Sequence, residues 1–192
     1  PLRLHRVAGD ELLLANRAGE LADAIEAEQS MVFAELLRDA EQDLERVARD
    51  LDEAGGYQTG ERVQALQEDV EEALGWLVEA LQRERERQQA EAQSGQGQKP
   101  PGAGQNVERL VPDTSELKLL RRMEVDIVER LAELRALYPE IDDPELELDP
   151  YVLEDILRLA ERHENTTRLF EQFRERLNIP PPPESPVEES KP

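Results

Sequence analysis

Cysteine is missing from the chain altogether, and with it go disulfides, thiolate catalysis and thiolate-ligated zinc. The redox compartment is therefore left open. Only two histidines are present, His5 and His163, and the inward Glu-x-x-His pattern of di-iron bundles is absent, so no metal or cofactor is expected. Aromatic residues make up 4% of the chain, so any interior must be built from Leu, Val, Ile and Ala. No run approaches the ~20 consecutive apolar residues needed to cross a bilayer, which argues against membrane insertion. Basic residues are the scarcer charge, 23 against 45 acidic, and the formal net charge is −22. Nucleic acid and anionic lipid headgroups are both recognised through Lys and Arg facing phosphate, so both are set aside as partners. No glycine-rich phosphate loop and no serine nucleophile elbow is found. Carboxylates are too numerous for any one pair to mark an acid–base site. No catalytic residue is assigned, and the chain is not expected to be an enzyme.

What is present is helical periodicity over almost the whole of 192 residues, with 35% charged residues and nothing patterned like a strand. The expected fold is all-α: two antiparallel, coiled-coil-like helical hairpins joined by a flexible linker. The first hairpin, residues 1–92, turns through Gly55-Gly56-Tyr57-Gln58-Thr59-Gly60. Its incoming ladder is Phe33, Leu37, Ala40, Leu44, Val47 and Leu51, and its outgoing ladder is Val63, Leu66, Val70, Ala73, Leu77 and Ala80. Facing residues in an antiparallel pair have numbers that add to a near-constant, and Leu51 with Val63, Val47 with Leu66, Leu44 with Val70 and Leu37 with Leu77 satisfy one register. The first helix is expected to run from about residue 11 to 54, capped by Asp10, with a stutter or slight bend near Glu28 to Phe33 where the stripe shifts by one position. Its front stripe, Leu14, Leu21 and Ile25, then has no apolar counterpart, because the register places Leu21 and Ile25 near residues 89 to 93, where helix 2 fades through the polar run that begins at Arg83. Those three residues are interaction candidates. Trp76, the only tryptophan, lies one position off the seam; it reads as a residue covering the hairpin edge, or else as a binding hot spot.

Residues 93–112 are rich in Gly, Gln and Pro and read as the linker. The second hairpin, 113–178, opens at Asp113 with Glu116 placed to complete a capping box, and its second helix is capped by Asp149 with Pro150 at the first position. One register pairs Leu134 with Leu153, Leu131 with Ile156, Ile127 with Ala160, Leu120 with Thr167 and Leu117 with Phe170. It also sets Glu124 opposite His163, a polar seam pair that fixes register rather than a catalytic dyad. Met123, Val128 and Phe173 are left for an outer face, and Met123 and Phe173 are further interaction candidates. Asn165-Thr166-Thr167 matches the glycosylation triplet but falls mid-helix, where the threonine hydroxyls can bond back to the preceding turn. Residues 179–192 read as a disordered, Pro-rich acidic tail. Residues 1–54 carry 6 basic and 14 acidic residues, net −8, whereas 113–138 carry 5 and 6, net −1. The second hairpin is thus the readier contact surface for a like chain.

Two stretches occur together: Thr59-Gly60-Glu61-Arg62-Val63-Gln64-Ala65-Leu66-Gln67-Glu68-Asp69-Val70-Glu71-Glu72-Ala73-Leu74 and, after the linker, Leu110-Val111-Pro112-Asp113-Thr114-Ser115-Glu116-Leu117-Lys118-Leu119-Leu120-Arg121. The pairing resembles an uncharacterised family of acidic coiled-coil proteins of planctomycete-type bacteria, made with an export signal, and the likeness spans roughly residues 55 to 135. Arg121-Arg122-Met123-Glu124 departs from it, since relatives are richer in Gln and Asn there. The resemblance implies an export history, hence a periplasmic or exported location with the cytoplasm as the alternative, and a structural or interaction role. It carries no activity and no functional residues. The chain begins at Pro1, which reads as a processed or excised piece. Taken together, these features predict a non-enzymatic interaction module with a protein partner or a homodimer, the alternative being an amphipathic lipid or ligand carrier.

Overall fold

The computed structural model describes residues 2–93, 113–139, 141, 143 and 148–180, and every regular element among them is helical. In chain order these are α1 (Leu2–Ala27), α2 (Met31–Leu51), a 3-10 turn (Glu53–Gly55), α3 (Glu61–Gln93), α4 (Asp113–Leu137) and α5 (Pro150–Arg176). The all-α hairpin architecture read from the periodicity is what is found. The linker expected at 93–112 and the tail expected from 179 lie, from 94 to 112 and from 181 onward, outside the described residues.

The first helix departs from expectation. Instead of bending slightly near Glu28 to Phe33, it ends at Ala27, reverses through Gln29 at φ 63°, and returns as α2. The Gln29 N–H donates to the Glu26 carbonyl at 2.8 Å and the Ser30 N–H to that of Ile25 at 3.2 Å, so the reversal satisfies its own backbone groups. Asp10 is not a cap; it lies inside α1. The cause is the second apolar face of α2. Val32 and Leu36 lie off the ladder that meets α3, and a straight helix would leave them in water; in the fold they are 0% and 1% exposed. The cover comes from a stripe of small residues in α1. Ala8 packs with Val47 and Leu51, Ala15 with Ala40 and Leu44, and Ala22 with the Phe33–Leu37 region. Small side chains let the two helices approach closely: a Cβ added at Gly19 would run into the Glu41 carboxylate. His5 and Asp52 close the far end at 2.8 Å.

The α2–α3 pair keeps the register of the sequence ladders. Leu51 and Val63 share one apolar cluster with Val47 and Leu66; Leu44 and Val70 share a second; Leu37 and Leu77 share a third. Gly56, at φ 75°, supplies the left-handed residue that the turn needs. In the second hairpin, the Asp149 side chain caps α5 by accepting from the Tyr151 N–H at 2.8 Å, ahead of Pro150.

The two hairpins pack together. One cluster joins Ala22 and Ile25 of α1, Phe33 and Leu36 of α2, Trp76 and Leu77 of α3, Leu119 and Met123 of α4, and Leu169 and Phe173 of α5. Burying each large apolar side chain here contributes about 1.5–3 kcal/mol. The consequence for α4 and α5 is that they bury the face turned to α2 and α3 in preference to the seam between themselves. Leu153 and Phe170, expected in that seam, are about half exposed. Glu116 is also reassigned: it is fully buried, its carboxylate turned toward the Val32 N–H at the start of α2 and accepting from Arg176 at 3.2 Å.

Candidate interaction surface and the ionic belt behind it

Below the shared apolar cluster, the two hairpins meet through charge. α2 presents Asp39 and Asp43, four residues apart on one face, and α3 presents Asp69 beside them; all three are buried. α5 answers with Arg158 and Arg162 at the same spacing. Arg158 donates to Asp43 at 3.0 Å and to Asp69 at 3.0 Å. Arg162 donates to Asp39 at 3.2 Å and lies 3.9 Å from Asp43 and 3.8 Å from Asp126. α4 closes the belt with Arg130, which pairs with Asp69 and also with Asp126 at 3.2 Å. Arg46 adds a fourth guanidinium, 3.1 Å from Asp43.

Asp39, Asp43, Asp69 and Asp126 are thus balanced by Arg46, Arg130, Arg158 and Arg162, and the charges cancel locally. Ionic hydrogen bonds of this kind are directional, so the belt sets the axial position of α5 against α2 and α3. Burial is the dominant influence on the acids. It pushes the Asp39 carboxyl up to about 6 against the opposing pull of Arg162, and it raises Asp69 despite Arg130 and Arg158. The Arg158 guanidinium is itself held more firmly charged, because the attraction of Asp43 and Asp69 outweighs its desolvation. At the open end of the belt, Arg62 donates to Asp50 at 3.1 Å and to Glu154 at 2.7 Å and stacks on Tyr151 at 4.8 Å. A cavity of about 570 Å³ opens there between α3, α4 and α5, its arginines Arg62, Arg130 and Arg158 all engaged by carboxylates. The belt holds parts in register, and the cations that could polarise a substrate are already neutralised.

The residues singled out from sequence are distributed differently from expectation. Ile25, Trp76, Met123 and Phe173 all lie in the shared apolar cluster, so the faces taken as free are interior. Met123 and Phe173 form an outer face of the second hairpin taken alone; in the fold that face looks onto α2 and α3. Leu14 and Leu21 stay about half exposed on the outside of α1, flanking the alanine stripe. Trp76 is 8% exposed and lies under the Arg122 guanidinium at 4.7 Å. Glu124 and His163 do meet, 3.2 Å apart, but at the exposed edge of the hairpin rather than within an apolar seam. Thr166 bonds back to the Arg162 carbonyl at 2.8 Å, the local use expected of a mid-helix threonine.

The belt residues do not follow from the apolar ladders of the sequence. A signal was there: Asp39 with Asp43 and Arg158 with Arg162 each recur at one helical turn. Asp126 with Arg162 and Arg130 with Arg158 also fall within one residue of the register that pairs Glu124 with His163.

On the opposite side of α4 and α5, turned away from the belt, a groove of about 390 Å³ runs between the two helices. Leu117, Leu120, Val125 and Phe170 make its walls, with Arg121 and Glu124 at the rim. Phe170 is 50% exposed and Val125 45%. Among the described residues, no group of three or more His, Asp or Glu is placed to hold a metal, and no helix is long and apolar enough to cross a membrane. Comparison of the chain with protein-family models, with curated proteins and with solved structures finds no match in any of the three.

Proposed function

We propose that the chain is a non-enzymatic interaction module and that the groove between α4 and α5 is the surface through which it pairs with a second copy of itself. The observation that carries this reading is Phe170. It is one of three phenylalanines in an aromatic-poor chain, and it stands half exposed in an apolar groove although its neighbour Leu169 and, about one turn on, Phe173 lie in the interior cluster. Large aromatics in this setting are the side chains that anchor interfaces. Charge favours the same face, since residues 113–138 are net −1 in a chain of −22, so two copies meeting there repel least. The resemblance to exported acidic coiled-coil proteins adds the bacterial envelope as the location in this proposal.

Sedimentation velocity over a wide dilution series tests it. The chain should form a dimer that Phe170→Glu converts to monomer with its helical circular dichroism intact, since Phe170 lies outside the interior clusters. A wild-type chain that stays monomeric at every concentration overturns the proposal. The same groove has the size and polarity for an acyl chain, which keeps a lipid or ligand carrier as the second reading; displacement of a fluorescent fatty acid from the monomer, lost in Phe170→Glu, is the result that favours it.

A further inference from the structure

A second concavity, separate from the apolar groove, lies between the C-terminal half of α3 and the first turns of α4, with a volume of about 230 Å³. Its walls gather Arg83 and Arg87 from α3 and Lys118 and Arg122 from α4, and the Thr114 and Ser115 side chains close one end. Among the described residues, the lining also holds two carboxylates, Glu79 and Glu84. Glu79 accepts from Arg83 at 2.6 Å and from Arg122 at 3.2 Å, and Glu84 accepts from Arg87 at 2.7 Å. Lys118 pairs with no carboxylate among the described residues, and with Arg87 left aside as engaged, Arg83, Arg122 and Lys118 face Glu79 with a surplus of positive charge. That surplus is the reverse of the chain's overall balance of −22 and of the belt, where guanidiniums and carboxylates cancel. Trp76 forms part of the floor, 8% exposed, and its indole N–H has no acceptor among the described residues.

We infer that this cleft binds a phosphate group, either as inorganic phosphate or as the monoester of a small molecule. A carboxylate is satisfied by a single forked guanidinium, whereas a tetrahedral dianion has three acceptor oxygens and calls for donors converging from several directions. The guanidiniums of Arg83 and Arg122, the Lys118 ammonium and the hydroxyl residues Thr114 and Ser115, from two helices, supply that arrangement. The net negative charge of the chain does not prevent it, because exposed charges farther away than about 10 Å are largely screened at ~0.1 M salt. Glu79 acts as the internal counter-ion: it holds Arg83 and Arg122 toward the cleft and gives them up when phosphate arrives.

Trp76 makes the test direct, because the only indole in the chain lies under Arg122. Inorganic phosphate and glycerol 3-phosphate are titrated at constant ionic strength against the intrinsic fluorescence, with acetate as the control anion. A saturable change with phosphate and none with acetate is expected. A stronger response to the monoester identifies an organic phosphate as the natural source, and an equal response identifies free phosphate. The double variant Arg83→Gln/Lys118→Gln, which alters only exposed side chains, should raise the half-saturating concentration by ~10-fold with an unchanged circular dichroism spectrum. A response that fails to saturate, that acetate reproduces, or that survives unchanged in the double variant overturns the inference.

Discussion

At the scale of single residues, the belt shows the difference between a strong contact and a stabilising one. Asp39 and Arg162 are buried partners at 3.2 Å, and each has given up its hydration to be there. Removing one partner leaves the other charged in a dry site; replacing both removes the desolvation cost together with the attraction. Arg162→Met is therefore expected to lower the unfolding free energy by about 3 kcal/mol, and Asp39→Leu/Arg162→Met to recover most of that loss or exceed the parent. Urea unfolding of the parent, both single variants and the double variant checks this. A double variant no more stable than the worse single would show that the pair contributes net stability rather than specificity. Glu116 is a smaller instance of the same arithmetic. Its carboxylate is turned toward the Val32 N–H at the start of α2, where Ser30 makes no side-chain cap, and it takes the charge of Arg176, so one buried acid draws α4, α2 and α5 together.

At the scale of elements, the ladders of large apolar residues translated into helix pairs faithfully, and the stripes of small residues did not. Leu44 with Val70 and Leu37 with Leu77 were legible because each is a bulky side chain at seam spacing, and a short turn permits one register only. The pairing of α1 with α2 rests on Ala8, Ala15 and Ala22, which bury little area each and so are outweighed in any hydropathy reading by Leu14 and Leu21. Their value lies in how closely they let two backbones approach, a property of the pair that neither strand of sequence displays alone. The same reason hid the interior role of Met123 and Phe173, since which face of α4 and α5 is covered depends on α2 and α3. The alanine seam predicts an inversion of ordinary mutational sense. Ala15→Leu, which adds apolar surface, should destabilise the chain by about 1–3 kcal/mol through overpacking against Ala40 and Leu44, while Leu14→Ala should cost less than ~1 kcal/mol. Thermal unfolding of the two variants decides it, and a Leu14→Ala loss larger than that of Ala15→Leu would return the seam to the leucine stripe.

At the scale of the whole molecule, burying acids in a chain already at −22 makes stability a function of pH in an unusual direction. Asp39, whose carboxyl is raised from 3.8 to about 6, is joined by Glu35, Asp69, Glu116 and Asp155, all raised chiefly by burial. A group raised in the folded state holds its proton more tightly there than in the unfolded chain. Its contribution is therefore complete below the unfolded value and disappears as pH climbs through the folded one, for Asp39 the window from about 4 to 6. Relief of net negative charge on acidification acts in the same sense. Among the described residues, Asp52, lowered chiefly by its hydrogen bond with His5, and Glu84, lowered chiefly by that with Arg87, oppose the trend, and their stabilisation is lost at still lower pH. The fold should therefore be firmer near pH 5 than at pH 7, by on the order of 2 kcal/mol or roughly 4–8 °C in melting temperature. Asp39→Asn should flatten that slope, because it removes the group with the largest upward displacement while keeping an acceptor for Arg162. Melting temperatures at closely spaced pH values read both effects, and a midpoint that falls steadily from pH 7 to pH 5 would mean that the arginines of the belt hold these acids ionised after all.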